Sequence, residues 1–208
     1  MNFDLALYLV TDRSLSKGRP IEWIVEEAVK GGVTMVQLRE KDCSTNDFLE
    51  LAILLKKTLE QYNVPLIIND RIDIVLAANA DGLHIGQSDM PYHIARKILG
   101  YKKIIGLSVE TSSQAKEANL LDVDYIGISP VFATGTKTDI STPLGLEGIR
   151  EIASFTKHPI VGIGGIHILN TKAVIDAGAK GIAVVSAICS ATDPQQAAVE
   201  LKNEIEYQ

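Results

Sequence analysis

Short apolar runs alternate with amphipathic segments eight times along the 208-residue chain, which predicts an α/β protein built as an eight-stranded parallel (β/α) barrel of the TIM type. The apolar runs are short, as in parallel strands that helices cover. Nothing that resembles a linker interrupts residues 1–208. We therefore predict a single domain, although such barrels typically have about 250 residues.

Caps and chain breakers mark the ends of these elements. A Gly-Gly pair closes the first helix, and Ser44 is predicted to cap the second, with Asp47 at the capping-box position. Thr111 or Ser112 is predicted to cap the fifth helix. The predicted strands are residues 5–10, 34–40, 66–68, 83–85, 103–109, 125–128, 159–163 and 181–185. The predicted helices are residues 21–29, 44–62, 72–80, 91–99, 111–120, 146–155, 169–177 and 193–208.

Composition excludes several classes of partner. A formal net charge of −6 argues against a surface for nucleic acid or an anionic membrane, which would need a basic face, so any anionic ligand must be bound locally. Cys43 and Cys189 have no metal-type spacing and indicate a reducing compartment. Asp4 stands where a signal peptide would carry lysine, and the apolar run after it is too short to span a bilayer. We expect a cytoplasmic protein with small-molecule partners, and homo-oligomerisation stays open.

Two acidic residues, Asp70 and Asp89, follow consecutive predicted strands. The carboxyl ends of strands joined by a parallel crossover lie at the same edge of a sheet, so both carboxylates are expected to face one site. Three explanations are open: N-caps of the following helices, a proton-sharing acid/base pair, or a shared metal ion. Phosphate-binding features elsewhere favour Mg²⁺, which typically takes one or two carboxylates and completes its shell with water and phosphate oxygens.

The second predicted strand has one apolar and one polar face. Val36 and Leu38 lie on the first, and Gln37, Arg39 and, just beyond the strand, Lys41 lie on the second. An exposed edge strand with a polar face is the alternative. We favour a functional face, because an edge strand would not usually carry this sequence directly after a helix-closing Gly-Gly.

The last two strands end where barrels commonly bind phosphate through backbone N–H groups. They end in Gly164-Gly165 and Val185-Ser186. A plain turn is the alternative for the glycine pair, since GIGGI does not fit the dinucleotide pattern GxGxxG. The position in the predicted barrel favours phosphate.

One histidine and one loop complete the candidate site. His84 alternates with Gly82 and Gly86 and is expected to point into the barrel, where a lone histidine is more often a satisfied core residue than a catalyst; we assign it to the pocket lining only. The loop 131–145 is long, rich in Thr and Gly, and carries Lys137. Long loops in a compact domain are usually functional or disordered, and closing over the pocket is a role open to this one.

Eight segments carry a family resemblance through their joint order and spacing, although each alone is a modest signal. They are YLVTD (8–12), VQLREK (36–41), IINDR (67–71), ADGLHIGQSDMP (80–91), GLS (106–108), YIGISPVFATGTK (125–137), GIGGI (162–166) and VVSAI (184–188). Along nearly its whole length the chain resembles the thiamine-phosphate synthase family.

The resemblance implies a β/α barrel that joins hydroxymethylpyrimidine diphosphate to hydroxyethylthiazole phosphate, releasing pyrophosphate and thiamine monophosphate with Mg²⁺ as cofactor. It implies that Asp70 and Asp89 hold the metal. The catalytic residues it implies are Arg39, Lys41, Ser108 and Lys137. The residues it implies for the diphosphate and pyrimidine are Gln37, Arg39, Lys41, Asn69, Ser108 and Lys137, with His84 lining the pocket. Those for the thiazole phosphate are Thr134, Thr136, Gly165, Val185 and Ser186.

Four positions depart from the family pattern without removing a charged ligand. They are Glu110 where histidine is common, Ser129 where glycine is common, Ala133 where proline is common, and Ser88 where an acid is common. The first two bear on the shape of the pyrimidine pocket.

Two rival functions use the same barrel. A thiazole tautomerase moves protons, needs neither pyrophosphate nor metal, and would lack this set of cations and acids. A non-catalytic barrel that binds thiamine precursors would not need the complete set of charged ligands. Both are therefore disfavoured.

Overall fold

A computed structural model describes residues 3–135 and 142–206 of the chain. Within them, eight parallel strands pair in sequence order and the last strand pairs with the first, so the sheet closes into a barrel. The strands are β1 (Leu7–Val10), β2 (Met35–Leu38), β3 (Leu66–Asn69), β4 (Gly82–Ile85), β5 (Ile104–Val109), β6 (Tyr125–Ile128), β7 (Ile160–Ile163) and β8 (Gly181–Val184). The predicted single-domain α/β barrel is confirmed.

Helices follow the strands and cover the outside of the sheet. They are α1 (Ile21–Lys30), α2 (Thr45–Glu60), α3 (Ile72–Ala77), α4 (Tyr92–Leu99), α5 (Ser112–Ala118), α6 (Gly145–Ala153), α7 (Ile168–Asp176), α8 (Ser186–Cys189) and α9 (Pro194–Glu206). Ser44 caps α2 by accepting the Asp47 N–H at 3.1 Å, as predicted. Of the two candidates for α5, Thr111 is the cap.

Two of the observed ends that differ from the predicted ones have a local structural reason. Strand β2 stops at Leu38 because the Arg39 N–H donates to the Thr11 hydroxyl, at 3.0 Å, rather than to a strand carbonyl. Helix α3 stops at Ala77, short of the predicted residue 80, and Asn79 just beyond it has a left-handed φ of +50°. The short helix α8 was not predicted, because four residues are too few to display a helical period.

Alternate side chains of each strand enter two different cores. In β1, Leu7 and Leu9 pack outward against the helices, whereas Tyr8 and Val10 point into the barrel. The inner core is apolar at the amino ends of the strands and becomes polar toward their carboxyl ends. The described residues form no helix long and apolar enough to cross a membrane.

Candidate active site

A pocket of about 780 Å³ opens at the carboxyl ends of the strands. Twelve of the candidate residues named from the sequence line it together. They are Gln37, Arg39, Lys41, Asn69, Asp70, His84, Asp89, Ser108, Thr134, Gly165, Val185 and Ser186. The other two, Thr136 and Lys137, lie outside the described residues. Every candidate whose position is described therefore faces one cavity, at the end of the barrel where such folds place their sites.

The two acids from the β3 and β4 loops meet at the mouth of this pocket. Their carboxyl groups lie close enough for each to shift the pKa of the other. Asp70 Oδ2 accepts a hydrogen bond from Lys41 Nζ at 2.6 Å, and Asp89 Oδ2 accepts one from the Gly86 backbone N–H at 2.7 Å. Asp70 has a left-handed φ of +61°, a conformation that Asp tolerates better than most residues and that tends to occur at functional sites.

Burial and mutual repulsion act differently on the two carboxyls. Burial, followed by the neighbouring Asp70, raises the pKa of Asp89. Burial also acts to raise the pKa of Asp70, but hydrogen bonds from Lys41 and Asp89 outweigh it and the pKa is lowered. The pair is therefore asymmetric: Lys41 stabilises the charge of Asp70, whereas the charge of Asp89 is disfavoured by burial and by its acidic neighbour.

Neither acid caps a helix. The N-cap of α3 is Arg71 and that of α4 is Pro91, and neither helix start has a side-chain cap hydrogen bond. The helix-cap explanation of Asp70 and Asp89 is therefore wrong, which leaves the proton-sharing pair and the shared metal ion.

The donor set fits Mg²⁺ bound together with a substrate. No group of three or more His, Cys, Asp or Glu side chains suited to a metal ion occurs in residues 3–135 and 142–206. A magnesium ion needs no more than one or two protein carboxylates when phosphate oxygens and water complete its octahedron. Asp70 and Asp89 supply that number of hard oxygen ligands.

The polar face of β2 points into the pocket, and the strand is not an edge because it pairs with β1 on one side and β3 on the other. The edge-strand alternative is therefore wrong. Arg39 donates to Asp12 Oδ2 at 3.2 Å. The other oxygen of Asp12 accepts the N–H groups of Ser14 and Leu15, so this carboxylate is held in place. Sequence reasoning missed Asp12 as a partner, although its place at the end of β1 could have indicated it.

A chain of hydrogen bonds crosses the barrel interior along the floor of the pocket. Gln37 Nε2 lies 2.8 Å from the Tyr8 hydroxyl, which lies 2.9 Å from that of Tyr125. His84 Nδ1 lies 2.9 Å from the Tyr125 hydroxyl, and His84 Nε2 lies 2.9 Å from Ser108 Oγ. His84 is thus inward-facing, as predicted. Tyr125, which sequence reasoning treated only as part of a motif, is the centre of this network.

The glycine pair after β7 has a structural reason of its own. Gly164 and Gly165 have φ of +102° and +65°, and a Cβ on Gly165 would lie 2.7 Å from the Ala133 carbonyl oxygen. The turn therefore needs glycine with or without a ligand, and glycine identity does not by itself indicate phosphate. A phosphate site is therefore favoured by position alone. Gly165 and Ser186, the first residue of α8, line the pocket after the last two strands, where barrels commonly bind phosphate.

Three of the positions that depart from the family pattern also line the pocket: Ser88, Glu110 and Ser129. Ala133 lies behind Gly165. Gln87, which sequence reasoning did not single out, lines the pocket and donates to the Ser108 carbonyl at 2.6 Å. Three of the four departures thus fall on the pocket wall.

Comparison with known proteins gives matches over nearly the whole chain. Residues 7–188 match the family described as thiamine monophosphate synthase. The thiamine-phosphate synthase of Albidiferax ferrireducens is 52% identical over 202 residues, which cover 97% of this chain and 92% of that one. The thiamine-phosphate synthase of Clostridium novyi is 51% identical over 203 residues, which cover 98% and 100% of the two chains.

Solved structures match at the level of the fold as well. The thiamine phosphate pyrophosphorylase of Pyrococcus furiosus is similar with a TM-score of 0.89 and 38% identity, and the match covers 97% of this chain and 96% of that one. A 3-hexulose-6-phosphate synthase is similar with a TM-score of 0.72 at 18% identity, which shows the shared barrel fold alone.

Proposed function

The chain belongs to the thiamine monophosphate synthase family, and we propose that it forms thiamine monophosphate by metal-assisted, dissociative loss of pyrophosphate in the pocket described above. It is a transferase, a thiamine-phosphate synthase, whose small-molecule substrates are hydroxymethylpyrimidine diphosphate and hydroxyethylthiazole phosphate. The observation that carries the mechanism is that twelve candidate residues from seven different strand ends line one pocket.

Breaking the carbon–oxygen bond builds negative charge on the departing pyrophosphate. Arg39 and Lys41 face the pocket from the end of β2, and Lys137 follows β6 in the sequence. Cationic donors already in place for a developing charge stabilise a transition state by about 3 kcal/mol each, because they need not reorganise as the charge forms. We assign these three residues to the leaving group.

The partners of the two described cations keep them oriented before substrate arrives. Asp12 holds the Arg39 guanidinium, and Asp70 holds the Lys41 ammonium. When bound by Asp70 and Asp89, Mg²⁺ would supply further positive charge to the pyrophosphate oxygens.

The second substrate captures the pyrimidine methylene cation through its thiazole nitrogen. We place its phosphate at Gly165, Val185 and Ser186, with Thr134 and Thr136 contributing from the loop after β6. Water would attack the same cation, so capture by the thiazole requires that water be excluded. The apolar wall of the pocket serves this exclusion. Val161 and Ile163 of β7 line that wall.

The test is incubation of the full chain with both substrates and Mg²⁺, scored for pyrophosphate and thiamine monophosphate. We expect equal amounts of the two products, and neither when one substrate is omitted. Proton exchange on the thiazole without product formation would instead indicate a tautomerase. Tight binding of either substrate without any turnover would indicate a non-catalytic barrel.

We also propose a cytoplasmic location. Cys43 and Cys189, the two cysteines of the chain, are both free thiols, as is usual in a reducing compartment. Light scattering on the purified protein would determine whether it self-associates, which the sequence left open.

A further inference from the structure

The two tyrosines of the hydrogen-bond chain across the barrel interior are sealed from solvent, whereas its His84–Ser108 end faces the pocket. The side chains of Tyr8 and Tyr125 are 1% and 0% exposed, so their hydroxyl groups have no bulk water as an alternative partner. In residues 3–135 and 142–206, every buried side-chain nitrogen or oxygen has a hydrogen-bond partner. The order of protons at the two tyrosines is therefore set by their hydrogen-bond partners in the protein.

One end of the chain determines the direction of every bond in it. Gln37 Nε2 can only donate, so the Tyr8 oxygen accepts from it. The single proton of Tyr8 then goes to the Tyr125 oxygen, and the proton of Tyr125 goes to His84 Nδ1.

The opposite direction leaves a buried proton without an acceptor. If His84 Nδ1 donated to Tyr125, and Tyr125 to Tyr8, the Tyr8 oxygen would receive two donors while its own proton faced only donors. An unmade hydrogen bond of a buried group costs the full desolvation of that group. Burial also raises the pKa of both tyrosines, so both hydroxyl groups keep their protons.

We infer that Tyr8 and Tyr125 are positioning residues that hold the proton of neutral His84 on Nε2 and thereby make Ser108 a hydrogen-bond donor toward the substrate. With Nε2 donating to Ser108 Oγ, the serine's own proton is available to the pocket. The diphosphate offers oxygens that only accept, so a donor at this point is complementary to it. This inference rests on the proposed function for its substrate.

The neighbouring strand makes room for this arrangement. Gly106 of β5 lies against Tyr125, and a Cβ at that position would come within 2.1 Å of Tyr125 Cζ. Glycine is required here by the close approach of the tyrosine ring. The sequence at Gly106 thus accommodates the residue that donates to His84.

The first test needs no substrate and is therefore independent of the proposed function. Long-range ¹H–¹⁵N correlation spectra of the histidine-labelled full chain at pH 8 distinguish the two neutral tautomers, and H84N assigns the signal. We expect His84 to carry its proton on Nε2 in the wild type and to lose this preference in Y125F. A proton on Nδ1 in the wild type, or an unchanged tautomer in Y125F, would overturn the inference.

The second test separates positioning from a purely structural effect. We expect Y125F to lower kcat/KM for the diphosphate by about tenfold, an effect common when a hydrogen bond that orients a functional imidazole is lost, and to leave KM for the thiazole phosphate unchanged. The matched control is Y62F, since the Tyr62 hydroxyl donates to Glu26 at 3.2 Å and Tyr62 does not line the pocket.

Equal losses in Y125F and Y62F, or equal effects on both substrates, would contradict the inference. If Y125F does not fold, Y8F removes the next link of the same chain and must give the same tautomer change. A folded Y8F with an unaltered His84 signal would also overturn it.

Discussion

Replacing Gly165 with alanine should destabilise the fold by an amount that follows from two contributions. Its φ of +65° is left-handed, which costs an L residue about 1 kcal/mol relative to glycine. The new Cβ would lie 2.7 Å from the Ala133 carbonyl oxygen and 2.9 Å from Phe132 Cβ. Overpacking of this kind adds about 1–3 kcal/mol, so we expect a total loss of about 3 kcal/mol.

The matched control is G145A, at a glycine with nearly the same φ, +64°, and nothing within 4 Å of the added Cβ. It should lose only the backbone contribution of about 1 kcal/mol. At this chain length each kcal/mol shifts Tm by about 2–4 °C, so G165A should melt about 6–12 °C lower and G145A about 2–4 °C lower. Thermal unfolding followed by circular dichroism measures both. Equal shifts in the two variants would refute the steric argument and mean that the 132–133 backbone yields.

The same result limits how the thiazole phosphate site can be probed. A bulky substitution such as G165V would combine lost binding with a distorted turn, so its KM would not report on phosphate alone. Ser186 offers a cleaner probe because its side chain lines the pocket.

S186A should raise KM for the thiazole phosphate more than KM for the diphosphate, and equal changes would count against separate phosphate sites. Turnover should require a divalent metal, and D70N and D89N should each reduce it strongly with Tm nearly retained; full activity in excess chelator would rule out the metal assignment. K137A should slow single-turnover pyrophosphate release by about a hundredfold, the equivalent of about 3 kcal/mol. A rate within about twofold of wild type would remove Lys137 from the site, since surface changes usually stay within about 0.5 kcal/mol.

Strand and helix order was readable from the sequence because burial imposes a period on it. Both faces of each β strand are covered, so runs such as residues 66–68 are apolar throughout, and the helices between them carry one apolar stripe. The candidate site followed from this order, since parallel strands place their carboxyl ends together. Gln37, Asp70 and Ser186 lie far apart in the chain and still line one pocket.

Sequence reasoning could not choose between explanations that use the same residues. Asp70 and Asp89 precede helices and fit the cap pattern, yet Asp70 accepts from Lys41 and Asp89 accepts from the Gly86 N–H instead. The outcome depends on the left-handed backbone at Asp70 and on the reach of Lys41, which are three-dimensional facts.

By itself, the sequence determined the barrel, the end of the barrel that carries the site, and most of the residues that line the pocket. Only the tertiary structure decided how those residues are paired. Asp12 with Arg39, and Tyr125 with Tyr8 and His84, are contacts between different strands or the residues that follow them. Periodicity reports which face of its own strand a residue occupies, because that depends on local backbone geometry. The hydrogen-bond partner of that residue is set by closure of the sheet, which brings together residues that have no regular spacing in the chain.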